Sequence, residues 1–317
     1  HHGLWCLRRI VSELIASSEI TLESVSSVRH ITAKDWDACA NPRAEPASQN
    51  ELAAIVSCAT ASDSLIDSID SYNPFISHAF FTALESSGSA SARTGWAPRH
   101  LIAKRGESVV GIVPCYLKNH SQGEYVFDHG WADAFERAGG SYYPKLQASV
   151  PFTPATGHRL LIRDGVDRQR IGEALAGGML ALCDKVDASS VHVTFAREDE
   201  WNFLGQRGFL QRTDQQFHWR NEGYNSFEDF LATLASRHRK AIRRERRDAL
   251  ANGITIHALT GSAITEDAWD AFYDFYIETG SRQWGRTYLN RDFYTRIAET
   301  MPDDVLFVMA TRGDRWI

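Results

Sequence analysis

The sequence predicts a mixed α/β (α+β) fold made of two similar units, with the second unit cut short by the end of the chain. A strand, a glycine turn and a second strand occur at 101–113 and again at 305–316. From Leu160 onward strands alternate with helices, an order that favours parallel pairing in an α/β layer. A helix with a clear start signal begins at Ser226, so the second hairpin belongs to a new unit.

In the N-terminal third of the chain we expect helices and one strand, interrupted by an inserted segment. Residues 4–15 predict a short amphipathic helix, residues 28–31 a strand, and another helix begins near Ala33. The stretch 41–72 is rich in Ala, Ser and Asp and carries two prolines near its start, which indicates a linker or an inserted segment. After it, Phe75, Phe80 and Leu84 lie at helical spacing and predict a helix with an aromatic face.

The two hairpins both turn at an Arg-Gly pair. Arg105-Gly106 joins the apolar runs 101–103 and 109–113, and Arg312-Gly313 follows the apolar run 305–309. Glycine supplies the positive φ that a tight reversal needs. Three identities in seven positions indicate a repeat, and an ordinary pair of hairpins explains them equally well.

The segment 119–157 has a different composition from its surroundings. It is crowded with Gly, Tyr, Asp, His and Pro. Polar side chains among aromatic ones, on segments held by glycine and proline, are typical of a pocket wall. We therefore expect the functional site in this segment.

An alternating pattern follows the polar segment. The sequence predicts a strand at 160–162, a helix at about 170–185, a strand at 191–195 and a helix at 198–206. Gly208-Phe209 then leads into a predicted strand that ends near Trp219. Helices between the strands favour a sheet covered by helices.

The second unit begins with a capped helix. Ser226 is the predicted N-cap, with Asp229 at the third helical position, and the pattern continues through a basic run to Asn252-Gly253. A strand at 254–259, helices at about 265–279 and 290–301, and the second hairpin complete the chain.

Composition restricts the class of protein. The chain is 43% apolar with nine Trp and sixteen Phe, which is ample for buried cores. Five scattered cysteines without a C-x-x-C pair suggest neither disulfides nor a zinc site, so we expect no metal and a reducing, cytoplasmic compartment. No apolar run is long enough to span a membrane. The net charge is −6, yet 237–247 holds seven Lys/Arg against one Glu.

Several motifs resemble the GNAT acyltransferase superfamily. Leu204–Phe209 is similar to the terminal helix-to-strand corner of that fold, and Gln169–Ala174 is similar to its Q/R-x-x-G-x-G/A loop. The resemblance implies that Gln169, Gly172 and Ala174 bind the pyrophosphate of acyl-CoA at a helix N-terminus. A plain helix start is the competing interpretation of those residues.

Longer motifs resemble one branch of that superfamily. Two tandem GNAT-like units, of which the C-terminal one opens with a basic helix, resemble the Fem peptidyltransferases, and 120–131, 142–147 and 151–157 resemble the FemAB-like family of peptidoglycan biosynthesis or recognition. The resemblance implies transfer of an acyl or aminoacyl group to an amine, with acyl-CoA or aminoacyl-tRNA as co-substrate and no tightly bound cofactor. A cell-wall precursor is the implied acceptor.

Acyl transfer to an amine needs a base for the ammonium proton and a donor for the developing oxyanion. Asp128, His129 and Glu124 are the candidate catalytic groups. His129 beside Asp128 is an oriented base or a structural hydrogen-bonding group, and neighbours on a strand would point to opposite faces.

The candidate binding residues form three groups. In the polar segment they are Trp131, Tyr142, Tyr143, Lys145 and Gln147, with core packing as the alternative for the tyrosines. In the basic helix, Arg239, Lys240, Arg243, Arg244 and Arg247 would bind phosphates of tRNA or a nucleotide-linked precursor, unless they form a solvated face. Trp284 and Arg286 would form a substrate rim or a simple helix connection.

We therefore expect an N-terminal extension (1–27), a first GNAT-like domain (28–222) with an insertion at 41–72, and the N-terminal half of a second GNAT-like domain (223–317). The leading hypothesis is an acyl or aminoacyl transferase. The alternatives are a non-catalytic module that binds a precursor or nucleic acid, and an inactive fragment. The sequence leaves the oligomeric state open.

Overall fold

The computed structural model describes residues 20–42, 72–126, 128–283 and 287–317. These residues form two units. The first draws its described residues from 1–43, 73–213 and 288–293, and the second from 44–72, 214–287 and 294–317. The predicted helix at 4–15 and most of the predicted insertion lie outside the described residues.

The first unit is built from mixed strands and helices. In chain order its described elements are β1 (Thr21–Val25), α1 (Ala33–Ala40), α2 (His78–Ser86), β2 (Trp96–Pro98), β3 (His100–Arg105), β4 (Ser108–Val113), β5 (Cys115–Lys118), α3 (His129–Arg137), β6 (Lys145–Ala148), β7 (Leu161–Ile162), α4 (Arg168–Lys185), β8 (Val191–Val193) and α5 (Glu198–Gly205). The mixed α/β class predicted from the sequence is confirmed.

Two four-stranded sheets organise this unit. One has the order β1-β3-β4-β7 with antiparallel neighbours, and the other has the order β2-β5-β6-β8. The one parallel pair among the described strands of these two sheets, β6–β8, joins β8 to a strand that precedes the alternating segment. The strands β7 and β8 of that segment lie in different sheets, so the parallel pairing predicted between its strands is wrong. The predicted first hairpin is confirmed as β3–β4.

Helix α4 packs on both sheets, and a glycine of β4 allows its close approach to the first one. A Cβ at Gly111 would lie 2.7 Å from Ile171 Cγ2 and 3.0 Å from Leu175 Cδ1, so only glycine permits this approach. The core around α4 includes Leu146 and Ala148 of β6. The apolar side of the second sheet is therefore covered by α4.

The second unit contains α6 (Phe227–Thr233), α7 (Ser236–Ala249), β9 (Ile254–Thr260), α8 (Glu266–Gln283), α9 (Arg291–Thr300), β10 (Leu306–Arg312) and β11 (Arg315–Trp316), with the first residues of α9 counted in the first unit. Its antiparallel sheet has the order β11-β10-β9, so the second predicted hairpin is confirmed. The ring centroid of Phe307 lies 4.5 Å from that of Trp269 and 4.6 Å from that of Phe272.

Two predicted strands are wrong. Val28–His30 is a 3₁₀ turn in which the Ser27 side chain accepts from the Arg29 N–H, and the strand lies earlier, at β1. Residues 209–219 form no strand, since a strand needs a hydrogen-bonded neighbour and none of the described strands pairs with this segment. Instead, the Gln211 side chain donates to the Trp201 carbonyl of α5, and the Trp201 indole donates to the Arg212 carbonyl.

The helix predicted from Ser226 to Asn252 is two helices. Ser226 does cap α6 through the Asp229 N–H, as predicted, but the ψ angles of Leu234 and Ala235, 151° and 144°, are not helical. The Arg239 guanidinium donates to the Ala232 carbonyl at the end of α6, which satisfies a C-terminal acceptor there. The break therefore separates α6 from the basic helix α7.

Candidate functional site: a buried ionic cluster

One face of the second sheet of the first unit is polar. On β6, Leu146 and Ala148 join the apolar core, so Lys145 and Gln147 point to the opposite face. Strand register aligns Lys145 with Lys118 of β5, and Gln147 with His192 of β8. Aligned residues share a face, so these four polar side chains line one side of the sheet.

Lys145 is the centre of a group of hydrogen bonds on that face. Its ammonium lies 2.8 Å from Ser121 Oγ, 2.8 Å from Glu124 Oε2 and 2.5 Å from Asp128 Oδ2. Tyr142 also donates to Asp128 Oδ2 at 2.8 Å. We call Lys118, Ser121, Glu124, Asp128, Tyr142 and Lys145 the ionic cluster. Both lysine side chains are completely buried.

Lys118 completes the cluster from the neighbouring strand. Its ammonium lies 3.5 Å from the centroid of the Trp96 ring and donates to the Gln122 carbonyl at 3.2 Å. Its nearest carboxylate oxygen in the described cluster is Glu124 Oε1, at 3.8 Å. Glu124 therefore lies between two lysines and directs one oxygen to each.

Burial and hydrogen bonds separate the acidities of the two carboxyl groups. Burial by itself raises the pKa of Asp128, but hydrogen bonds from Lys145, Ser121 and Tyr142 and the charge of Lys145 lower it to about 2. Burial raises the pKa of Glu124, and the opposing effect of Lys145 does not cancel it. Glu124 is thus the stronger proton acceptor of the two.

The amine and phenol groups shift as well. Burial lowers the pKa of Lys118 to about 7, against the attraction of Glu124 and with the help of repulsion from Lys145. Burial and the neighbouring Asp128 raise the pKa of Tyr142. Burial, with the charge of Lys145, lowers the pKa of His192 to about 4, so its imidazole is neutral near pH 7.

Several buried polar atoms on this face have no hydrogen-bond partner. Within the described ranges they are Glu124 Oε1, Asp128 Oδ1, Gln147 Oε1, Ser149 Oγ and Trp96 Nε1. Buried polar atoms are normally paired, by protein, water or ligand. Unpaired carboxylate oxygens in particular are suited to bind an ammonium or another hydrogen-bond donor.

Comparison with protein families identifies the family of this chain. The sequence matches the model of the FemAB-like family, described as peptidoglycan biosynthesis/recognition, over residues 27–317. The chain belongs to the FemAB-like family. No curated protein matches the chain.

The ionic cluster contains four of the eight site residues predicted in the polar segment of this FemAB-like chain. Glu124, Asp128, Tyr142 and Lys145 are in direct contact, and Gln147 follows on the same face of β6. Tyr143 lies beside them, with its hydroxyl 2.8 Å from Ser121 Oγ.

His129 and Trp131 lie away from the cluster. Asp128 precedes α3 as its N-cap and His129 is the first helical residue, so the strand assumed for this pair is wrong. His129 is exposed, and Trp131 is 66% exposed. A helix start here directs the Asp128 carboxylate inward while its neighbour remains in solvent.

The three residues predicted to bind acyl-CoA lie in the first two turns of α4. The Gln169 side chain donates to Glu173, and Gly172 is buried against the ring of Phe203. The Asp167 carboxylate already accepts the Arg170 N–H at this helix start. The Ala174 side chain cannot form a hydrogen bond, so only its backbone N–H could donate to a phosphate. Binding of acyl-CoA by these three residues stays a prediction.

The basic helix of the second unit has two kinds of cation. Arg239, Arg243 and Arg246 contact α6, through the Ala232 carbonyl, the Glu228 carboxylate and the Phe227 ring. Arg237, Lys240 and Arg244 are exposed and have no partner within the described ranges, and Arg247 pairs with Asp248 at 3.5 Å. Trp284 and Arg286 lie outside the described residues.

Sequence reasoning missed four groups that lie in or beside the ionic cluster: Trp96, Lys118, Ser121 and His192. Lys118 ends an apolar strand, where a lysine resembles an ordinary exposed strand end. The signal that could have identified Lys118 is the alternation of Tyr116 and Lys118 on β5, which face Gln147 and Lys145 on β6.

Among the described residues, no helix has both the length and the apolar character to cross a bilayer.

Proposed function

We propose that this chain is an N-acyltransferase that transfers an acyl or aminoacyl group to an amine carried by a peptidoglycan-type precursor. The family description supports the precursor class. The observation that carries the reaction type is the pair of buried carboxylates held by Lys145, each with one oxygen that accepts no hydrogen bond from the described residues.

The two carboxylates have different roles in this proposal. An amine acceptor arrives as an ammonium and must lose a proton before its nitrogen can attack. Glu124, whose pKa burial raises, accepts that proton at Oε1. Asp128, with a pKa of about 2, remains ionised and attracts the cationic acceptor. Lys145 fixes both carboxylates, and the donor is a thioester of CoA or an ester of tRNA.

A direct transfer assay tests the proposal. The chain is incubated separately with acyl-CoA and with aminoacyl-tRNA and a panel of primary amines that includes a peptidoglycan-type precursor, and products are measured by mass spectrometry. We expect an amide product with one donor, and a loss of about 10²-fold in rate for Glu124→Gln and Asp128→Asn.

The matched control is Glu136→Gln. Glu136 is an exposed carboxylate on α3, so its neutralisation should leave the rate unchanged. Absence of transfer from either donor to every acceptor contradicts the proposal, as does an equal loss of rate in the control.

A second candidate function is binding without catalysis, of nucleic acid or a nucleotide-linked precursor. It is favoured by the exposed cations Arg237, Lys240 and Arg244, which lie three and four residues apart and so share one face of α7. In this case ligand affinity falls with salt and is unchanged by Glu124→Gln, and no amide product forms.

A further inference from the structure

Lys118 is a buried amine whose surroundings differ from those of Lys145. Lys145 is saturated by three oxygen acceptors, whereas Lys118 donates to one carbonyl and otherwise lies on the Trp96 ring, with Glu124 Oε1 at 3.8 Å. That oxygen has no hydrogen-bond partner in the part of the chain that the structure describes. A small movement of either side chain would bring the two into hydrogen-bonding distance.

We propose that Lys118 is a proton relay for Glu124: it takes from Oε1 the proton that Glu124 removes from the acceptor ammonium. This inference rests on the function proposed above. Lys118 acts through Glu124 and does not contact the substrate in this scheme.

The proton steps balance. The acceptor R–NH₃⁺ gives one proton to the Glu124 carboxylate, and the resulting carboxylic acid passes it to the neutral Lys118 amine, which becomes an ammonium. The free R–NH₂ forms a C–N bond with the acyl carbon, and the C–O or C–S bond to the donor breaks. The second nitrogen proton goes to the departing alkoxide or thiolate. Lys118 then releases its proton to solvent.

Burial makes this relay reversible. In water a lysine binds a proton so much more tightly than a carboxylate that it would stay charged through every cycle. Here the pKa of Glu124 is raised and that of Lys118 is lowered to about 7, so the difference between their proton affinities is smaller than in water. The groups that act on Lys118 are the carboxylates of Glu124 and Asp128, the ammonium of Lys145, the Trp96 ring and the Gln122 carbonyl.

The pH profile of transfer tests the relay. In the wild type we expect the rate to rise about tenfold per pH unit up to about pH 7, where Lys118 becomes neutral. Lys118→Met should lose this rise and be about tenfold slower at pH 8, and Lys118→Arg, which stays charged, should be equally slow. The surface variant Lys104→Met should match the wild type. Unchanged profiles in both Lys118 variants overturn the relay.

A titration separates failure of the relay from failure of the proposed function, because it needs no activity. The protein is labelled with ¹³Cε-lysine, and the Lys118 signal is assigned by its absence in Lys118→Met, a variant whose folding is checked by thermal unfolding. We expect Lys118 to titrate near pH 7 and to move to lower pH in Glu124→Gln, which removes an attracting charge. A Lys118 signal that titrates above about pH 9, close to the ordinary range of lysine, or that Glu124→Gln does not move, overturns the inference.

Discussion

Lys118 and Lys145 lie directly opposite each other on the antiparallel strands β5 and β6, and both side chains are fully buried. Like charges at facing positions destabilise a strand pair. Two carboxylates beside Lys145 reduce this cost, and burial reduces it further by lowering the pKa of Lys118 to about 7. The Lys118 amine therefore begins to lose its charge near neutral pH, which relieves the repulsion at these facing positions.

Lys145→Met should strongly destabilise the first unit. The substitution leaves Glu124 and Asp128 buried without their shared cation, and removal of one partner from a buried ion pair costs about 3–5 kcal/mol. Urea denaturation measures the free energy of unfolding. The control is Lys104→Met, because Lys104 forms a surface ion pair with Glu23 and such pairs contribute about 1 kcal/mol or less. Equal losses in the two variants would show that Lys145 has no special role.

The stability of the wild type relative to Lys118→Met should increase with pH. The folded-state pKa of Lys118 is about 7 against an ordinary value of 10.5, so between these pH values the unfolded chain binds one more proton. The free energy of unfolding therefore rises with pH in this window, by about 1.4 kcal/mol per unit at most. Chemical denaturation at several pH values measures the difference between wild type and variant. A difference that stays constant across this window contradicts the prediction.

Gly123→Ala should cost more stability than Gly106→Ala. Both glycines have positive φ, so both substitutions carry a backbone cost of about 1 kcal/mol. At Gly123 the new Cβ would also lie 2.5 Å from the Phe152 ring, which stacks on Tyr288, whereas at Gly106 there is no atom within 4 Å. We expect an additional loss of about 1–3 kcal/mol at Gly123, measured by thermal or urea unfolding. Similar losses at both sites would refute the close packing of this loop.

Neutralising the exposed cations of α7 should weaken binding of polyanions without destabilising the fold. The triple variant Arg237→Ala, Lys240→Ala, Arg244→Ala removes three cations that have no partner among the described residues. For a short duplex DNA, affinity falls as salt rises, and the plot of log affinity against log salt should become less steep by about 3, because each phosphate contact contributes about 0.9 to the steepness. Fluorescence anisotropy at several salt concentrations measures this slope.

The comparison variant changes the cations that contact α6: Arg239→Ala, Arg243→Ala, Arg246→Ala. Their contacts with the Ala232 carbonyl, Glu228 and Phe227 predict a larger loss of stability than in the first variant. If the two variants lose affinity and stability to the same extent, the division of the helix into two sets of cations is wrong.

Local sequence signals were sufficient for much of the fold. The Arg-Gly turns identified both hairpins, and Ser226 with Asp229 identified the start of α6, because turn and cap geometry depend on residues that are close in sequence. The same local pattern could not show that Leu234 and Ala235 interrupt the helix. That break depends on how α7 contacts the end of α6.

The polar segment 119–157 could be located from composition, and Glu124, Asp128, Tyr142, Tyr143, Lys145 and Gln147 were identified as candidates there. The sequence by itself thus determined where the polar groups lie along the chain. Only the tertiary structure decided that Lys118 faces Lys145, that Asp128 points inward and that His129 points to solvent. Strand register and burial come from contacts between residues far apart in sequence, and those contacts decide which polar groups are buried together.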